Sequence, residues 1–133
     1  MGSSPSPLAG APEIFNLAPW TEFRKPLEPK DDTLLILAHV EYKRGNSVNA
    51  LKGWESFVEY CKTNEPETIA YTIMEDKENN TIRTVEVYEN KAFVNDVHAK
   101  SAAFMANQEQ NGANGTGVKG AIKLRIVQGF LGK

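Results

Sequence analysis

Cysteine, histidine and surplus charge are scarce in this sequence, and each scarcity removes a class of function. One cysteine, Cys61, in 133 residues excludes an intramolecular disulfide and a cysteine-rich metal cage. It falls in a helical pattern and reads as a small buried apolar residue. A net charge of −2 argues against nucleic acid as partner, because phosphate binding needs a basic surface. No apolar run approaches membrane-spanning length, so no membrane partner is expected. The first residues lack a basic stretch followed by an apolar one, and Met1-Gly2-Ser3-Ser4 fits a vector remnant. The expected compartment is therefore the cytoplasm. The two histidines, His39 and His98, lie in different elements with no H-x-x-x-H spacing, which leaves a metal site unsupported.

Some motifs match in letters only. Gly115-Thr116-Gly117-Val118-Lys119-Gly120 fits G-x-G-x-x-G, but a helix precedes it and a strand follows, the reverse of the dinucleotide fingerprint. No cofactor motif remains. Asn79-Asn80-Thr81 and Asn114-Gly115-Thr116 are glycosylation triplets that mean nothing without secretion.

What is present is an ordinary globular composition, 41% hydrophobic and 24% charged, at the length of one domain. Six of the seven prolines lie within residues 1–33, which read as an N-terminal extension. Residues 1–12 are expected to be disordered. Residues 13–23 carry three aromatics and are expected to dock on the folded part, with a charged linker from Lys25 to Asp32.

The domain then spans 34–133. Leu34 to Lys43 reads as a strand buried on both faces. Asn46 or Ser47 caps a helix to about Thr63, with Val48, Leu51, Trp54, Val58 and Cys61 on its apolar side. Pro66 stops that helix. Strands follow over 68–75 and 81–89, joined by a hairpin at Lys77 to Asn80. Asn90 caps a second helix running to about Gln110, and 111–117 reads as a flexible loop. A last strand over 122–128 ends at Gly129-Phe130. The order β-α-β-β-α-β specifies an α+β, ferredoxin-like fold with helices on one face of an antiparallel sheet. Apolar residues on both registers of the middle strands (Ile69, Tyr71 and Ile73 against Ala70 and Met74) predict a homodimer joined through the uncovered sheet face.

His39 sits mid-strand, either bonded across the sheet or dimer interface or serving as a general base. His98 lies at the edge of the second helix's apolar stripe, either a boundary residue or one that looks into a pocket beneath the helix. Imidazole titrates near neutrality and suits acid–base work in both places.

Several short segments agree in order and spacing with one family. They are Leu35-Ile36-Leu37-Ala38 with Lys43-Arg44-Gly45, Asn64-Glu65-Pro66-Glu67-Thr68-Ile69-Ala70-Tyr71, and Val85-Glu86-Val87-Tyr88-Glu89 followed by His98 and Ser101. Residues 34–110 thereby resemble the antibiotic biosynthesis monooxygenases, small dimeric α/β-barrel proteins. The family commonly has glycine at the place of Glu67 and often Trp at that of Tyr88. The segment is also similar to one unit of relatives that carry two in tandem.

The resemblance implies a monooxygenase that oxidises a phenolic, quinol or polyketide-derived aromatic, with O2 as co-substrate and no metal, flavin or haem. His98 and His39 are then the acid–base candidates, Tyr71 and Tyr88 donate to substrate oxygens, and Trp54 walls the pocket. A cofactor-free polyketide cyclase or lyase, and a non-catalytic binding or accessory protein, are the alternatives.

Overall fold

The computed structural model describes residues 30–127. The expectations for residues 1–12 and 13–23, and for the chain end at Gly129-Phe130, lie outside the described residues. Alternating and β-branched residues build four strands: β1 (Leu34–Tyr42), β2 (Thr68–Asp76), β3 (Thr81–Tyr88) and β4 (Gly115–Arg125). They form one antiparallel sheet in the order β2-β3-β1-β4. Helix α1 (Ser47–Asn64) connects β1 to β2. From β3 to β4 the chain runs through α2 (Lys91–Asp96), a 3-10 turn (His98–Lys100) and α3 (Ala102–Asn114). This is the expected ferredoxin-like arrangement.

Strand alternation decides what each face carries. Ile36 and Tyr42 on β1 belong to the core under the helices, so Leu35, Leu37 and His39 point the other way. Register carries that division across the sheet: Leu37 pairs with Val85 and Ile122, and His39 with Arg83 and Gly120. Leu37, Met74, Ile122 and Leu124 are between 38% and 61% exposed on this outward face. β1 is thus covered on one side only, not on both.

Three local expectations are corrected. The buried stripe of α1 is Ala50, Trp54, Phe57 and Cys61, spaced four, three and four apart, while Val48 is 63% exposed. Asn46 takes the N-cap position of α1 without a side-chain cap bond, and its amide reaches Asn114 instead.

The second helix is not continuous. Asn90 caps α2 as expected, accepting from the Phe93 N–H at 2.7 Å. Val97 then leaves helical geometry (φ −121°, ψ −62°). Ser101 starts a new helix by accepting from the Phe104 N–H at 3.0 Å. A serine that can cap locally competes with helix continuation.

The third correction is at 111–117, which is helix to Asn114 and strand from Gly115. A Cβ on Gly115 would stand 2.6 Å from the Asn111 carbonyl oxygen, so only glycine permits so abrupt a change. β4 accordingly starts earlier than expected and ends at Arg125.

Candidate functional site

The break between α2 and α3 turns His98 inward. The residue is 2% exposed, and both ring nitrogens have partners. Nδ1 lies 2.7 Å from Glu65 Oε1, and Nε2 lies 2.9 Å from the Tyr88 hydroxyl. Glu65 stands just past the end of α1, where Pro66 bars further helix, and its N–H donates to the Cys61 carbonyl. That turn aims the carboxylate into the core, where Oε1 also accepts from Thr68 Oγ1 at 2.8 Å.

β3 supplies the other half. Thr84, Glu86 and Tyr88 alternate onto the helix-covered face and are all buried. The Thr84 and Tyr88 hydroxyls each donate to one Glu86 oxygen.

Three contacts, Glu86–Tyr88, Tyr88–His98 and His98–Glu65, join these groups into one buried line. Burial, then the neighbouring Glu86 carboxylate, pushes the Tyr88 and Tyr71 phenols well above the usual tyrosine range. They remain neutral donors.

Aromatic rings enclose the imidazole. Centroids of Tyr88, Phe57, Phe104, Tyr71 and Phe93 lie 4.8 to 6.3 Å from that of His98. Beyond Phe57 lies a cavity of about 210 Å³ between α1 and α3. It is lined by Gly53, Ser56 and Phe57 from α1 and by Ala103, Ala106, Asn107 and Gln110 from α3.

Four of the five residues singled out in the sequence meet on this side of the sheet. Tyr88 and Tyr71 each pack on His98, and Trp54 packs on Tyr71 at 6.3 Å. The Trp54 indole N–H donates to the Tyr42 hydroxyl at 2.7 Å, which donates to Asn111 Oδ1 at 2.6 Å. His39 is on the opposite face, its ring so close to Gly120 that a Cβ there would stand 2.9 Å from Cε1.

Sequence reasoning missed Glu65, Glu86, Asn107 and Gln110. The Thr-x-Glu-x-Tyr alternation of β3 was the available signal for Glu86.

The fold also gathers a set that sequence spacing did not foretell. Ligand atoms of Cys61, Glu65 and His98 lie within 4.8 Å of one another, all buried. Two donors on one zinc ion, each at about 2.0–2.1 Å, sit roughly 3.3 Å apart. The 2.7 Å between Nδ1 and Oε1 is a hydrogen-bond distance, too short to span an ion. As arranged, the set is a paired acid and base with a thiol beside it. Among the described residues no helix is long and apolar enough to cross a membrane.

No protein-family model matches the sequence, and no curated protein matches it. Solved structures do match. A candidate antibiotic biosynthesis monooxygenase from Caulobacter crescentus is 18% identical, with a TM-score of 0.67 over 75% of this chain and 94% of that one. Another from Nitrosomonas europaea is 10% identical, also at 0.67, over 76% and 96%. A candidate monooxygenase from Fusobacterium nucleatum is 21% identical at 0.69, and this chain spans 49% of its length. The protein has the fold of these antibiotic biosynthesis monooxygenase-like structures.

Proposed function

We propose that the protein is a cofactor-independent monooxygenase for a small phenolic or quinol-type aromatic, working as a homodimer. The observation that carries this reading is His98, held between the Glu65 carboxylate and the Tyr88 hydroxyl inside an aromatic enclosure. When the Tyr88 hydroxyl releases Nε2, that nitrogen, short of water, can take a proton from an activated carbon or phenol and leave an electron-rich anion. That anion reduces O2 itself: one oxygen atom replaces two hydrogens on the substrate, and the other leaves as water. No metal, flavin or haem is needed for that balance.

Glu65 orients the ring, while Tyr88 links it to Glu86. Tyr71 is the donor to a substrate oxygen, and Trp54 backs it. His39 belongs to the outward face, where Leu37, Met74, Ile122 and Leu124 offer an apolar surface to a second copy.

Oxygen uptake with anthrone as the probe tests the chemistry. The wild-type protein should accelerate uptake over buffer, and His98→Gln should lower turnover by roughly a hundredfold to ten-thousandfold. His39→Ala should leave turnover unchanged. Full turnover in His98→Gln would remove the assignment and favour a binding protein. Light scattering should report about twice 14.7 kDa, and a monomer at all concentrations would remove the sheet dimer.

A further inference from the structure

We propose that the cleft between α1 and α3 is a binding site for a neutral, planar molecule carrying a hydrogen-bond donor and acceptor side by side, as in a lactam or carboxamide. The first observation is unmet polar capacity. Asn107 is 3% exposed, yet neither its Nδ2 nor its Oδ1 has a hydrogen-bond partner among the described residues, and the same holds for Nε2 and Oε1 of Gln110. Both side chains line the cavity. Buried amide atoms are almost always paired, so four unpaired ones on one helix face call for an occupant.

The rest of the wall says what kind of occupant. Gly53, Phe57, Ala103 and Ala106 are apolar, and no charged side chain lines the space among the described residues. A charged ligand would go in without a counter-charge and lose its hydration, so the ligand is neutral. A cavity of about 150 Å³ holds benzene. At about 210 Å³ this one has room for a substituted ring or a small fused pair. Each carboxamide offers one C=O and one NH2, and a cis-amide or lactam edge returns the complementary pair. Water can meet the polar side, but it gains nothing from the apolar half, which a ring would fill.

Gly53 shows that the amides are placed by the fold. A Cβ at this position would stand 1.6 Å from Gln110 Oε1. Glycine is unfavourable inside a helix. Here it lets the Gln110 amide lie against the backbone of α1, across the cleft.

This inference is independent of turnover at His98, from which Phe57 separates the cleft. The probe is 2-quinolinone, a neutral fused lactam, followed by NMR on the side-chain NH2 signals of the full chain. Those signals are assigned by their loss in Asn107→Leu and Gln110→Leu. Saturable shifts of both signals are expected, with affinity weakened roughly tenfold or more in Asn107→Leu while the thermal midpoint does not fall. Gly53→Ala, which displaces the Gln110 head, should weaken binding similarly. Quinoline, which has the rings without the lactam edge, should bind at least about tenfold more weakly. His98→Gln should bind like wild type, so a failure of the oxygenase reading leaves this result standing. Absence of saturable shifts up to the solubility limit would overturn the proposal. So would equal affinity for quinoline, or affinity indifferent to both Asn107→Leu and Gly53→Ala.

Discussion

Two polar clusters lie one aromatic ring apart, on either side of Phe57, and they differ in how their needs are met. Around His98, the imidazole, the Tyr88 hydroxyl and the carboxylates hydrogen-bond to one another along a line from Glu65 to Glu86. In the cleft, Asn107 and Gln110 present four polar atoms with no partner among the described residues. The difference separates a site that the chain completes by itself from one whose completion must come from outside. The first is pre-organised and should lose stability when altered. The second is held at a cost and should gain stability when its polarity is removed.

The sharpest way to break that contrast is His98→Leu. It takes the imidazole away from the buried Glu65 carboxylate, and losing one member of a buried pair costs about 3–5 kcal/mol. Urea unfolding would measure this. A loss below about 1 kcal/mol would mean that the network is not the pre-organised half of the comparison.

A smaller effect should appear in alkali. The folded-state pKa of Tyr88 is raised above its usual value of 10.0, chiefly by burial. Its contribution to stability is therefore complete below about pH 10 and is lost as pH climbs toward the folded value. The unfolded state, which ionises first, gains about 1.4 kcal/mol per pH unit in that window. Denaturation above pH 10 should show this loss, and Tyr88→Phe should reduce it.

The smallest effect has the opposite sign. Asn107→Leu exchanges an unpaired amide for an apolar group of similar size and should gain up to about 1 kcal/mol without ligand. A loss of that size would mean that ordered water already satisfies the amide, and the contrast would narrow.

Much of the architecture was legible because strand alternation and helix stops are local. Leu34 to Tyr42, the hairpin at Asn80 and the cap at Asn90 lie where their residue types place them. His98 was legible as a residue near an apolar stripe, though not as a buried one. Its inward turn depends on Ser101 restarting the helix, a competition between two local hydrogen-bond patterns that periodicity does not register. Glu65 read as part of a helix terminator, and nothing in Asn64-Glu65-Pro66 says where its carboxylate will point. Glu86 lay on the polar register of β3, and polar registers usually face water. Asn107 and Gln110 failed to stand out for the same reason on α3. The face on which His39 lies followed only once β1 had been aligned with β3 and β4.

β4 carries one further consequence. It is an outer strand, with its far edge unpaired among the described residues and most of its side chains exposed. Such an edge is a template for endless strand addition. Lys119, Lys123 and Arg125 share one side of it, and two β4 edges brought together would set like charges against each other. Gly117, at φ +96°, and the register shift opposite Val40 and Tyr42 also spoil the straight repeat that a growing fibril requires. This rim thus resists polymerisation beside a sheet face that leaves Leu37, Ile122 and Leu124 exposed.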